Sequence, residues 1–553
     1  MINNYKVYPK YSIGIDFGTL SCRALLVDVS NGDEIATASR NYKHGVIDET
    51  MIYSNKKLPI DFALQHPQDY LDSAAETIKE VLELSKINPM EIIGLGIDFT
   101  ACTMIPVYKG GSPLCFNEKH KENPHAYVKL WKHHSAQKYA TLINETAEKQ
   151  NEVWLKRYGG KISSEWLFAK ILQVLEEAPD IYDETAYFIE AADWLIWQLT
   201  GVQTRNSCTA GYKAMWHKRD GYPSKEFFKS LNPKFENVVE DKLNCPITSL
   251  GNKVGEITSE AAEFFGLYEG TAVAVANVDA HVTFPAVGIS QAGDMLAIMG
   301  TSSCHMLLGE DEKIVQGMCG VVEDGILPGF FGYEAGQSCV GDHFAWFAEN
   351  FVSDEHLNKI AYLSKKAAEL KPGESGLIVL DWWNGNRSVL VDIDLTGMFI
   401  GMTLLTKPEE MFRALIEATA FGTRMIIETF KENKVDVKRF FAAGGIAQKD
   451  PFTMQIYADV INMPIKTAKS AQAPALGSAI FGAVAAGEKN GGHDTIEKAL
   501  KVMSSISEKV YTPNPENVKI YDKLYAEYKI LHDYFGRGAN DVMKRLKEIK
   551  ANV

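Results

Sequence analysis

The sequence predicts an α/β fold in two lobes built on one plan, and three observations predict it. Short apolar strands alternate with amphipathic helices along the chain. One strand–turn–strand segment near the start recurs near the middle. With 553 residues the chain is too long for one ordinary core, and its length suggests roughly two to four domains.

The first element is the apolar strand Tyr11–Asp16, followed by Gly18-Thr19 and a second strand, Cys22–Asp28. Ser30-Asn31-Gly32-Asp33 supplies the residues of a tight turn, so Glu34–Tyr42 is expected to return as a third antiparallel strand. A helix over Pro67–Ser85 and a strand over Ile92–Asp98 come next. Further helices are read at Ser164–Ala178 and at Ala192–Leu199, where Gly201 stops the second. Strand Ala272–Ala276 leads into a strand-rich block, Asp294–Leu308. Then follow a long helix, Pro408–Glu432, a strand Arg439–Ala442 ending in Gly444-Gly445, and a helix over Asp450–Asn462. The last fifty or so residues read as a polar helical appendage.

Gly18-Thr19-Leu20-Ser21-Cys22-Arg23-Ala24-Leu25-Leu26 and Gly300-Thr301-Ser302-Ser303-Cys304-His305-Met306-Leu307-Leu308 agree at six of nine positions. Each follows an apolar strand. Glycine lets backbone approach an anion closely, and the N–H and hydroxyl groups after it can donate to phosphate oxygens. Asp16, just before the first turn, is placed to hold Mg²⁺ through water beside those phosphates. An ordinary hairpin with a surface aspartate is the plainer reading of either segment alone; the pair favours phosphate.

Composition narrows the classes. A net charge of -14 works against a nucleic-acid partner. The apolar stretches Thr271–Val278 and Ala479–Ala486 are too short to span a bilayer, and no signal-peptide pattern opens the chain. Eight cysteines are scattered without a C-x-x-C pair, as in a reduced cytoplasmic protein. No G-x-x-x-x-G-K-[ST] occurs, which excludes a P-loop, and no G-x-G-x-x-G opens a helix after a strand. Gly444-Gly445 can instead let a base and ribose lie against bare backbone, with the small-residue helix opened by Pro474-Ala475-Leu476-Gly477-Ser478-Ala479 packing behind that turn, although close helix–strand packing is the plainer reading of either segment alone.

Together, D-F-G-T at Asp16–Thr19, M-G-T-S-S at Met299–Ser303, A-A-G-G at Ala442–Gly445 and P-A-L-G-S-A at Pro474–Ala479 resemble the FGGY carbohydrate kinases. The resemblance runs in order from about Tyr11 to Gly487 and extends to Gly397–Gly401 with Glu410 and Ala414–Glu417, where Leu415 departs from the usual smaller residues. It implies two actin-like, ribonuclease-H-like ATPase domains facing across a cleft. The expected boundaries are 11–285 for sugar and the first phosphate turn, 286–500 for nucleotide, and 501–553 for the appendage. Asn123–Lys132, Gly211–Trp216, Asn277–His281 and Tyr333–Gln337 resemble the ribulose-phosphorylating branch, which implies L-ribulose as substrate in L-arabinose catabolism. Val278 and Ala280 depart from the Gly and amide that flank the catalytic Asp in many relatives acting on other polyols, which weakens any transfer of their substrate contacts.

The resemblance also assigns roles. Asp279 matches the family's general base, which a poorly nucleophilic sugar hydroxyl needs. Ala101, Lys213 and Glu334, with Asp279, match sugar-binding positions. Gly18, Thr19, Gly300, Thr301, Ser302, Gly444 and Gly445 are expected to hold ATP, and Asp16 its Mg²⁺. His281 reads as structural, and Asp98, which repeats the I-D-F setting of Asp16, as a candidate wall of the substrate site. The partners implied are a sugar and ATP, with neither nucleic acid nor membrane, and a homodimer stays open. A kinase for xylulose, ribitol or glycerol, and an actin-like nucleotide switch, are the alternatives. The stretch after Gly487 is too short for a chaperone's peptide-binding domain.

Overall fold

The structure is a computed structural model that describes residues 10–552. They form two compact units: one of 10–290, Val321–Gly332 and Gln472–Ser505, the other of Gln291–Gly320, Tyr333–Ala471 and 506–552. The units therefore interleave in sequence, where the reading of the chain expected the consecutive blocks 11–285, 286–500 and 501–553.

The first unit is built on a sheet whose strands lie in the order Glu34–Asn41, Ser21–Asp28, Tyr11–Phe17, Ile92–Phe99, Ala272–Ala274, Lys253–Glu256. The three N-terminal strands are antiparallel, the next two pairings parallel, and the edge pairing antiparallel. Alternation along the two central strands sorts their side chains by size. On one face Ile13, Ile15 and Phe17 line up with Leu95, Ile97 and Phe99, which are all buried. Phe17 stacks on Phe99 with ring centroids 4.3 Å apart. Helix Pro67–Ser85 covers this face with Tyr70, Ala74, Ile78 and Val81, spaced as one helical stripe. Burying each of the large apolar side chains contributes about 1.5–3 kcal/mol.

The opposite face carries Ser12, Gly14 and Asp16 beside Gly94, Gly96 and Asp98. Its glycines admit a helix almost into backbone contact. A Cβ on Gly14 would lie 1.7 Å from the Ala475 carbonyl oxygen, and one on Gly96 would lie 1.9 Å from that of Ser478. The helix is Ala473–Ala486, so the small-residue segment packs here, in the first unit, and not behind Gly444-Gly445. Ser12 Oγ fastens it by donating to the Ala479 carbonyl at 2.7 Å. A second apolar cluster in this unit gathers Trp154, Tyr158, Trp166 and Phe168 around helices that include Leu167–Glu177.

The second unit repeats the plan. Its sheet runs Phe331–Gln337, Ser303–Gly309, Asp294–Met299, Arg439–Ala443, Ile465–Ala468, Ile506–Tyr511. From the hairpin outward the pairings are antiparallel, parallel, parallel and antiparallel, as in the first unit. The nine-residue repeat is thus the hairpin of a duplicated sheet. Its two copies differ in register: Phe17 pairs with Cys22, whereas Met299 pairs with Ser303. The second turn is one residue tighter, so Cys22 is buried and Cys304 only half-buried.

The last fifty residues are not an appendage. Ile506–Tyr511 is the edge strand of the second sheet. Helix Pro515–Gly536 buries Tyr521, Tyr525 and Tyr528 against Phe421 of helix Pro408–Glu432. Tyr521 Oη also meets the buried ion pair of Arg413 and Glu417. Among the described residues, no helix is long and apolar enough to cross a membrane.

Candidate active site

In the first unit the turn at Gly18-Thr19 closes with Gly18 N–H donating to the Ser21 carbonyl at 3.0 Å. Three side chains clamp it from outside. Tyr42 Oη donates to the Gly18 carbonyl at 2.8 Å, and Gln65 Nε2 donates to the Thr19 carbonyl at 2.7 Å. Trp131 Nε1 donates to Thr19 Oγ1 at 3.1 Å. Gln65 is held in turn by Tyr70, whose hydroxyl donates to Oε1 at 2.6 Å. An indole N–H only donates, so the Thr19 hydroxyl accepts from Trp131 and directs its own proton elsewhere. None of the three clamping residues was singled out from the sequence; Trp131 lay within the segment Asn123–Lys132.

Three carboxylates converge where the glycine face of the sheet ends. Asp16 and Asp98 are direct neighbours across the parallel pair, and Asp279 follows the short strand Asn277–Val278, which pairs beside Asp98. Asp98 is fully buried, and Ser478 Oγ donates to its Oδ2 at 2.6 Å. Burial first, and then the charge of Asp16, raises the Asp98 pKa well above the ordinary carboxylate value; Asp279 adds to the effect. Burial also raises Asp16, against the pull of Arg23, whose Nη1 lies 3.6 Å away. One proton shared by this pair is the natural state of two adjacent buried carboxyls. Sequence reasoning left Asp98 as a wall of the site, although the repeated I-D-F was the available signal. Ser478 carried no functional signal of its own.

Asp279 is the first residue of helix Asp279–Ala286, and its Oδ1 accepts from Ala280 N–H at 2.7 Å. Helix Ser207–Lys213 joins it through Tyr212 and His281, whose rings lie 4.6 Å apart. His281 is buried, its ring packed against Tyr212. Lys213 is buried, with Nζ 5.8 Å from the Trp166 ring centre, and its charge acts on the Cys102 thiol and the Glu190 carboxyl. Ala101 therefore lies on the same side as Lys213, in the loop after strand Ile92–Phe99. Buried Lys170 holds that loop by donating to the carbonyls of Cys102 and, at 2.8 Å, Leu130. Glu190 accepts from Thr103 N–H at 3.0 Å. Cys102 and Met215 have positive φ, 60° and 56°, so the backbone is strained next to Ala101 and two residues after Lys213.

The second unit holds the remaining expected residues. The Gly300-Thr301-Ser302 turn is exposed, and the start of helix Gly341–Phe351 braces it. Gly341 N–H donates to the Gly300 carbonyl at 2.9 Å, and Val340 N–H to that of Thr301 at 2.8 Å. Strand Arg439–Ala443 runs beside Asp294–Met299, which brings Gly444-Gly445 next to this turn. Gly444 has φ 93°, and a Cβ there would sit 2.5 Å from the Met299 carbonyl oxygen. At Gly445 nothing lies within 4 Å of a Cβ, so bare backbone faces open space. Buried Glu334 is ion-paired to Arg387, Oε1 to Nη2, at 2.5 Å. No sequence signal had marked Arg387, which sits in an irregular segment. The structure thus gathers Asp16, Gly18, Thr19, Ala101, Lys213 and Asp279 in one unit, and Gly300, Thr301, Ser302, Glu334, Gly444 and Gly445 in the other.

Residues 11–286 match the N-terminal domain, and residues 295–486 the C-terminal domain, of the FGGY family of carbohydrate kinases. The chain is 60% identical to the ribulokinase of Bacillus licheniformis over 96% of its length and 98% of the relative's. It is 58% identical to the ribulokinase of Geobacillus thermodenitrificans, covering 98% and 97% of the two chains. The crystal structure of ligand-bound xylulose kinase from Lactobacillus acidophilus matches it with a TM-score of 0.79 at 19% identity, over 96% of this chain and 99% of that one.

Proposed function

Because the chain belongs to the FGGY family of carbohydrate kinases, we propose that it transfers the γ-phosphoryl group of ATP to ribulose, giving ribulose 5-phosphate and ADP. The observation that carries this reading is the identity of 60% and 58% with two ribulokinases over nearly the whole of each chain.

In this reading Asp279 accepts the proton of the attacking hydroxyl as its oxygen bonds to the γ-phosphorus and the bond to the β–γ bridging oxygen breaks. Lys213 and the backbone at Ala101 are the groups of the first unit proposed to hold sugar hydroxyls; in the second unit Glu334, held by its ion pair with Arg387, is proposed as a hydroxyl acceptor. Gly18-Thr19 and Gly300-Thr301-Ser302 donate to phosphate oxygens, and Gly444-Gly445 lies against the nucleoside. The donor set also suits Mg²⁺: Asp16 and Asp98 are two buried carboxyls side by side at the phosphate turn, and an ion there would take the place of the proton between them. Bound there, the ion would neutralise phosphate charge, and Asp16 is the residue that would hold it.

The test is a phosphorylation assay with ATP and Mg²⁺ across L-ribulose, D-ribulose, xylulose, ribitol and glycerol. L-Ribulose should give the highest kcat/KM, as L-arabinose catabolism would require. A preference for xylulose or glycerol would overturn the substrate, and ATP hydrolysis indifferent to sugar would overturn the transfer itself.

A further inference from the structure

His44, His66 and Asp69 lie together in the first unit, outside the residues assigned to sugar or nucleotide. One ring nitrogen from each histidine and one carboxylate oxygen of Asp69 all fall within 4.8 Å of one another, the one such group among the described residues. Local structure brings them there. His44 follows the third strand, while His66 caps helix Pro67–Ser85 by accepting from Gln68 N–H, which puts Asp69 in that helix's first turn. Asp69 is bound twice by His44: Oδ2 accepts from its backbone N–H at 2.9 Å, and Oδ1 lies 2.8 Å from its Nδ1.

We propose that His44, His66 and Asp69 form a site for a divalent metal of the zinc class. Two imidazole nitrogens and one carboxylate oxygen are a borderline donor set, suited to Zn²⁺ or Co²⁺ and unlike the all-oxygen set that Mg²⁺ or Ca²⁺ takes. Ligand atoms about 2.0 Å from a tetrahedral zinc lie about 3.3 Å apart. To take the ion in place of its proton the Nδ1–Oδ1 pair at 2.8 Å would open by about half an ångström, and pairs lying up to 4.8 Å apart would close by up to about 1.5 Å, within the reach of side-chain rotation. The surroundings fit as well. His66 is stacked on Phe116, ring centroids 5.6 Å apart, with Tyr127 edge-on at 5.9 Å and the Tyr53 hydroxyl 3.5 Å from Nε2, the nitrogen that the ion would take, so the site is walled by aromatic rings with one hydroxyl at its edge. His66 and Asp69 are buried, and the His44 side chain retains 22% exposure, which leaves an entry path. With three protein ligands, the fourth position falls to water.

The site also touches the phosphate turn through its chain neighbours. Tyr42 and Gln65, two of the three residues that clamp Gly18-Thr19, lie two positions from His44 and one from His66; Tyr70, which holds Gln65, follows Asp69. An ion at the site ties together the segments that carry these clamps.

The probe is Zn²⁺ alone, titrated calorimetrically into the full chain after chelator treatment, with Co²⁺ as the optical reporter. The parent protein should bind one equivalent, give a Co²⁺ spectrum without thiolate charge-transfer bands, and rise in Tm with Zn²⁺. His44→Gln and His66→Asn should each weaken Zn²⁺ binding at least tenfold, about the loss that even an outer partner of a metal ligand causes, and abolish the Tm rise. Asparagine at position 66 keeps an N-cap while removing the imidazole. If His66→Asn does not fold, His44→Gln at the more exposed position decides alone. Absence of stoichiometric binding overturns the site. So does binding that survives in His44→Gln, or that shows thiolate bands from the free cysteines.

Discussion

Trp131 donates from its indole N–H to the Thr19 hydroxyl oxygen at 3.1 Å, across 112 residues of sequence. In the proposed function that bond leaves the Thr19 hydroxyl proton to a phosphate oxygen. Trp131→Phe should keep the fold and lower kcat/KM for ATP about fivefold, the worth of roughly 1 kcal/mol for one hydrogen bond. In Thr19→Val the same tryptophan change should then cost little more. Additive losses in the double variant would mean that the indole acts on something other than Thr19.

Two glycines should answer oppositely to a methyl group. At Gly96 a Cβ meets the backbone oxygen of Ser478 at 1.9 Å, which no rotamer change can relieve. Gly96→Ala should cost more than about 3 kcal/mol or leave the protein insoluble. At Gly445 a Cβ meets nothing within 4 Å, so Gly445→Ala should hold stability within about 0.5 kcal/mol while raising KM for ATP. Calorimetry and steady-state kinetics on both variants check the pair; a stable, active Gly96→Ala would refute the close helix–sheet contact.

What was legible in the sequence was local. Helix Pro67–Ser85 is readable because its first turn holds proline and an acidic residue and its apolar stripe is periodic. The hairpins at Gly18 and Gly300 are readable because a glycine turn between apolar strands has few other uses. Partnership across the chain was not legible. Helix Ala473–Ala486 lies in sequence between two strands of the second sheet, Ile465–Ala468 and Ile506–Tyr511, yet its small residues match Gly14, Gly94 and Gly96, whose meaning as one surface appears only once the strands are in register. The Glu334–Arg387 pair joins residues 53 apart, and nothing local to Arg387 announces a partner. The site followed the same rule. Motif residues such as Asp16 and Asp279 stood out, while Asp98, Ser478 and the clamps on Thr19 required the fold.

Asp193 gives stability a pH dependence of definite sign. It is fully buried, its Oδ1 accepting from Asn206 N–H at 3.1 Å and from Asn206 Nδ2 at 2.9 Å, and burial pushes its pKa up to about 7 from 3.8. The folded protein therefore keeps a proton that the unfolded chain releases. This contribution to stability is fully present below pH 4 and is lost as pH rises through 7. Asp193→Asn removes the dependence while preserving the acceptor. The Tm of the variant should rise relative to the parent between pH 4.5 and 8, by the equivalent of a few kcal/mol at most. A constant difference between the two proteins across that range would show that Asp193 does not hold the proton.

Asp279→Asn bears on the proposed chemistry most directly. Asparagine keeps the shape of the side chain and can still accept from Ala280 N–H, so the start of helix Asp279–Ala286 should be undisturbed. It cannot take a proton from the attacking hydroxyl. General-base catalysis contributes roughly 10²–10⁴-fold, and kcat should fall by about that factor. Nucleotide affinity should hold, because the residues proposed for ATP are the glycine–threonine turns and Gly444-Gly445. The comparison with Asp16→Asn separates base from metal partner: excess Mg²⁺ should restore part of the Asp16 defect and none of the Asp279 defect. Removing a negative charge near Asp98 should also relax the raised pKa of that group, because Asp279 is among its causes. Any residual activity should therefore show an altered pH profile as well as a lower kcat. A folded Asp279→Asn protein with near-parental kcat would reject the assigned base, and with it the proton's route in the transfer.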